Sequence, residues 1–235
     1  MQPEGVSVHD LGRAIDAGDT VYVLRGAYTD TEMAELRQMV RDWAHATEAW
    51  PQGVSASKEA INFHRVDDGS IKGRMAHIFH QFGFGQPADL PEPLRGALGT
   101  IAGELYDLQN RLAGTDFAAG DPSFRSKVIR HPRGGGYLVP HVHPYLPQKV
   151  SLFLNLSKPG RDYQSGSVRF KPAGGDWIDT HEDFQSGDLL AWRYDMLHET
   201  TAVDPEAEID WAGDDGLWIF ATEWVEAHLN SNASY

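Results

Sequence analysis

The sequence predicts an α+β chain whose second half is a small antiparallel sandwich or barrel. Helical apolar spacing marks the first half, and after Asp121 the texture changes to about six to eight short β-like runs separated by turn clusters. The clearest run, KVSLFLNL, alternates: Val150, Leu152, Leu154 and Leu156 share one face, Ser151, Phe153 and Asn155 the other. At 235 residues the chain buries a sizeable core and reads as one domain over 1–235. Its N-terminal helical and lid region runs to about residue 120 and its β-rich core spans about 121–228.

Taken in order, Val21 to Leu24 is a short apolar, β-branched run that suits a buried strand. Thr29 stands three residues before Glu32, the spacing of a capping box, and Met33, Leu36, Val40 and Trp43 follow at helical spacing. From Trp50 to about Pro91 the periodicity fails among glycines, prolines, aromatics and His64, His77 and His80. Two readings stand there: a segment that covers a substrate, or two short strands that the pattern does not resolve. Leu94, Leu98, Ile101, Leu105, Leu108 and Leu112 then step by threes and fours, one amphipathic helix ending at Gly114. The runs SKVIRH, GGGYLVPHVHP, QKVSLFLNLS, SGSVRFKP, GDLLAWRYDMLHETTAV and LWIFATEWVE supply the strands.

Thirty-four acidic against 20 basic residues give a net charge of −14, which repels nucleic acid and anionic membranes, and no Lys or Arg run offsets it. The chain has no cysteine, so disulfides, thiolate catalysis and Cys-ligated metal sites are excluded. No apolar run has the length of a signal peptide or a membrane span, so a soluble cytoplasmic protein is expected. Eleven histidines remain as the distinctive feature.

His141 and His143 are separated by one residue between Pro140 and Pro144, which hold their neighbours extended. On an extended segment both imidazoles point to one side and reach one ion. His198, on a second β-like run, is the candidate third ligand. Three imidazoles from two strands leave about three positions open on an octahedral ion, the geometry of non-haem iron oxygenases, although imidazole also suits Zn, Ni and Cu. An isolated H-x-H, by contrast, is a common surface pattern.

The ordered set VIRHPRGGGYLVPHVHP, QKVSLFLNLSKPGRDYQSGSVRF, FQSGDLLAWRYDMLHETTAV and GLWIFATEWV resembles the core of the Fe(II)/2-oxoglutarate-dependent dioxygenase superfamily over about residues 127–225. His141 matches the first ligand and His198 the distal one. Asn155 matches the asparagine of a YLN-like strand, Gly166 and Phe170 a G-x-L-x-F element, and Gly187 and Asp188 the turn before the distal strand. The resemblance implies a double-stranded β-helix, or jelly roll, braced by N-terminal helices. It also implies Fe(II) and 2-oxoglutarate as cofactors, and O2-dependent oxidation of a C–H bond in a small molecule or amino-acid side chain.

Two positions depart from that pattern. His143 stands where most of the superfamily has a carboxylate, which leaves a ferrous site at +2. The Arg or Lys expected about ten residues after the distal histidine, to grip the C5 carboxylate of 2-oxoglutarate, is absent, and LWIFATEW contains no base. Arg193, Arg169, Arg130 and Lys149 are the substitutes to weigh for that carboxylate, with Tyr137 and Asn155 as further cofactor-binding candidates. Asp195 and Glu199 flank His198 as partners for its second ring nitrogen or as replacement ligands. The departures keep two other readings open: a three-histidine, cupin-like dioxygenase without 2-oxoglutarate, and a non-catalytic jelly-roll module.

Overall fold

The computed structural model describes residues 7–47, 62–69, 75–117 and 124–224. Local signals set the helices. In α1 (Val8–Ala17) the Ser7 side chain accepts the Asp10 N–H, and Gly18 closes the helix in the left-handed region at φ 75°. This helix has no counterpart in the sequence reading, because only Val8, Leu11 and Ile15 make its apolar stripe. In α2 (Asp30–Ala46) the capping box of Thr29 and Glu32 is present, and Met33, Leu36 and Val40 are buried. The leucine stripe builds α3 (Leu94–Ala113), which ends at Gly114 with φ 63°.

The described residues form eleven strands: β1 (Tyr22–Leu24), β2 (Asn62–Asp68), β3 (His77–Phe84), β4 (Phe124–Pro132), β5 (Gly136–His141), β6 (Val150–Asn155), β7 (Val168–Lys171), β8 (Ile178–Asp179), β9 (Leu189–Arg193), β10 (Leu197–Val203) and β11 (Gly216–Trp224). They pair antiparallel in the order β1-β9-β6-β11-β4-β3-β5-β10-β7-β8, with β2 on β3. β3 turns the sheet over: His80 to Phe84 pair with β4, while His77 and Ile78 pair with β5. Two facing layers result, the jelly roll of a double-stranded β-helix.

Apolar side chains fill both sides of the larger layer. Val150, Leu152 and Leu154 of β6 pack against Leu98, Leu105 and the other helices, whereas Phe153 points to the opposite face and packs with Trp192 and Ile219 between the layers. Burial on both faces explains why Leu189 to Trp192 of β9 is a continuous apolar run. Phe170, Phe184, Leu190 and Leu217 complete the core between the layers.

The expected early strand is β1, and it joins the sheet together with β2 and β3, so the helix-then-strand order expected from sequence is corrected at those two hairpin strands of the first half. In the Trp50 to Pro91 stretch the two-strand reading holds for 62–68 and 77–84, while 48–61 and 70–74 lie outside the described residues. Its periodicity fails because β2 buries His64, Arg65, Val66 and Asp67 in succession. No helix among the described residues is long and apolar enough to cross a membrane.

Candidate metal centre

The last residue of β5 and the second of β10 are rung partners, His141 opposite His198. Each donates from Nδ1 to the carbonyl two residues earlier, His141 to Val139 at 2.9 Å and His198 to Met196 at 2.8 Å. That bond fixes the tautomer and leaves Nε2 with its lone pair. His143 follows on the extended turn after β5, its ring stacked on Tyr194 with centroids 4.6 Å apart. The ligand atoms of His141, His143 and His198 all lie within 4.8 Å of one another. Adjacent ligands at about 2.1 Å from one ion stand about 3 Å apart, so the imidazoles draw together by up to about 2 Å to share it.

Burial holds all three imidazoles neutral. It lowers His141, pushes His143 to about 4, and takes His198 well below the usual histidine range, with His141 and His143 adding to the effect. Neutral imidazole is the form that binds metal, so no proton has to leave first.

The cavity in front of the triad is lined by Phe79, Ile129, Leu138, Phe153 and Trp192 together with charged groups that sequence reasoning missed. Lys127 of β4 faces it, in register with Ala221, and forms a short ion pair with Glu223. Glu223 lies 3.9 Å from His143 Nδ1 and accepts the Tyr194 hydroxyl at 3.5 Å. Burial raises its carboxyl, but Lys127 and then His143 outweigh this and hold it below the usual carboxylate range. A carboxylate thus stands beside the site although position 143 carries none. Arg65 of β2 lines another part of the wall.

The six candidates for cofactor binding lie elsewhere; none lines this cavity. Arg130 is fully buried and donates to the carbonyls of Asp210, Trp211 and Asp215, which ties down the loop before β11. Arg169 pairs with Glu199, and Arg193 with Asp195 while lying over the Tyr145 ring at 4.8 Å. Glu199 and Asp195 are therefore engaged by arginines and not by His198. Asn155 donates to the Phe184 carbonyl at 2.6 Å and accepts from Ser157, a loop-holding role. Tyr137 is half-buried opposite Ile78, and Lys149 donates to the Ala113 carbonyl. Gly187 and Asp188 brace β1: Asp188 accepts the Gly26 N–H at 2.7 Å, and a Cβ on Gly187, at φ 84°, would meet the Tyr28 carbonyl.

A signal for Lys127 is present in SKVIRH, where Lys127 and Ile129 share one face and Val128 and Arg130 the other, but alternation alone does not say which face meets the cavity.

No protein-family model matches the chain, and no curated protein does. Solved structures do match in fold. A Pseudomonas putida prolyl-4-hydroxylase superposes with a TM-score of 0.59 at 12% identity, over 92% of this chain and 98% of that one. A Trichoplax adhaerens prolyl hydroxylase, in complex with a hypoxia inducible factor peptide fragment, gives 0.57 at 11% identity, over 97% and 94%. EctD from S. alaskensis, with 2-oxoglutarate and 5-hydroxyectoine, gives 0.55 at 12% identity, over 96% and 79%. The chain has the fold of the 2OG-Fe(II) oxygenases.

Proposed function

We propose that the chain is a mononuclear non-haem iron oxygenase that uses 2-oxoglutarate and oxidises a C–H bond of a small molecule or amino-acid side chain. One observation carries the reading: three neutral imidazoles, His198 buried and His143 partly exposed, converge at a cavity, two of them with Nδ1 committed to backbone. That donor set fits a divalent ion with open positions. Bound there, Fe(II) supplies O2 activation and 2-oxoglutarate the electrons released with its decarboxylation.

The chain's own residues do the rest. His141, His143 and His198 hold the ion and leave its full charge of +2, which attracts an anionic co-ligand. Lys127 takes the role of the absent base of β11 and receives the distal carboxylate of the keto acid, since Ala221 opposite it leaves room. Phe153, Phe170 and Trp192 surround the His198 ring and exclude water from it.

The Lys127–Glu223 pair also favours a second reading, oxidation without a keto acid, because the cation already has a carboxylate partner. Anaerobic titration of Fe(II)-loaded protein separates the two. With 2-oxoglutarate a visible charge-transfer band is expected, and K127M should weaken 2-oxoglutarate binding at least tenfold. A protein that binds Fe(II) without developing the band follows the second reading; one that binds no Fe(II) is not an oxygenase.

A further inference from the structure

Arg65 lines the same cavity yet has no part in the metal centre. It is 5% exposed and sits opposite Gln81 in the β2–β3 hairpin. Its Nε lies 3.0 Å from Asp67 Oδ2, which is also 3.0 Å from His77 Nε2, and its Nη2 donates to Gln81 Oε1 at 3.1 Å. Nη1 has no partner among the described residues. Nη1, unlike Nε, is not sealed from solvent, so this end of the guanidinium is open to a ligand in the cavity. The wall around it is apolar, with Met75, Phe79, Ile129 and Leu138. An apolar cavity with a few fixed polar groups is how small organic ligands are held.

Arg65 is separate from the keto-acid position. The rungs Arg65–Gln81 and Gln81–Ile129 set it level with Ile129, and Lys127 lies two residues along β4. At strand spacings of about 4.8 Å and a rise of about 3.4 Å per residue, the two Cα atoms are about 12 Å apart. The two cations are also held by different partners, Arg65 by Asp67 and Gln81 and Lys127 by Glu223.

We propose that Arg65 receives the carboxylate of the organic substrate, which makes that substrate an acid with an apolar body; its later oxidation rests on the oxygenase reading above, its binding does not. Nη1 and the second hydrogen of Nη2 form a planar pair that matches two carboxylate oxygens. Asp67 beside them disfavours a dianion such as phosphate.

The test compares 3-phenylpropionate with 3-phenylpropanamide by calorimetric titration, in metal-free protein and in protein saturated with Mn(II) and 2-oxoglutarate. The wild type should prefer the acid at least tenfold, and R65Q should lose that preference while its Mn(II) and 2-oxoglutarate affinities stay within twofold. R65Q leaves Asp67 without its cation, so R65Q/D67N, which removes both charges, is measured beside it and should lose the same preference. The proposal is overturned by a wild type that binds no acid or does not discriminate, by variants that keep the preference, or by an R65Q that loses 2-oxoglutarate instead. Failure of Mn(II) to bind the wild type would remove the oxygenase reading alone, because the acid–amide comparison stands in metal-free protein.

Discussion

His131 shows what burial does to an imidazole with no metal to meet. It is 1% exposed, and burial, with His77 adding, pushes its pKa down to about 3. The unfolded chain takes up a proton near pH 6.5 that the folded chain refuses until about pH 3, so stability is intact above pH 6.5 and is lost as pH falls through that window. Urea denaturation of the metal-free protein should show stability declining from pH 7 to 5, with His131 alone contributing up to about 1.4 kcal/mol per pH unit. A shallower decline is expected in H131N; a level wild-type profile refutes this account. The convergence of His141, His143 and His198 was legible in the sequence, because strand parity sets which way each side chain points. Lys127 was not, because its partner Glu223 is 96 positions away and only pairing of β4 with β11 brings the two together. Arg65 was hidden in the same way by a hairpin without visible alternation.

Among the elements, α1 and α3 meet at Gly12, where an added Cβ would collide with the Leu112 carbonyl. G12A should therefore destabilise the protein by about 1–3 kcal/mol, as overpacking of a helix contact does. Denaturation midpoints measure this, while Mn(II) affinity should be unchanged, since neither helix contributes to the cavity lining. A destabilisation below about 0.5 kcal/mol would mean the helices separate without cost. The α2 capping box and the α3 leucine stripe were readable because each is local, complete within a few turns. α1 escaped because its stripe is three residues, and β2 because both of its faces are buried.

At the scale of the whole molecule, one curled sheet brings β5 and β10 together although 55 residues separate His143 from His198. The helix-then-strand order and the ordered motifs pointed to this architecture, but not to β3 pairing with both layers, since no local pattern encodes a strand that changes partners midway. An ion bound only by the folded chain stabilises it by mass action, about 2.7 kcal/mol at a hundredfold excess over Kd. For a chain of this size that raises Tm by about 5–10 °C. Thermal melts with and without Mn(II) should show the rise in the wild type and none in H198A; an equal rise in both would place the ion elsewhere. The rung joining His141 to His198 has one more consequence. Two of the three candidate ligands, His141 and His198, are held in register by the hydrogen-bond ladder of a sheet and not by a loop that closes around an ion. A set of three imidazoles does little to sort one ion from another, and what it takes up follows the general affinity order of divalent metals and their supply. Protein isolated in air is then expected to carry nickel, copper or zinc in place of iron.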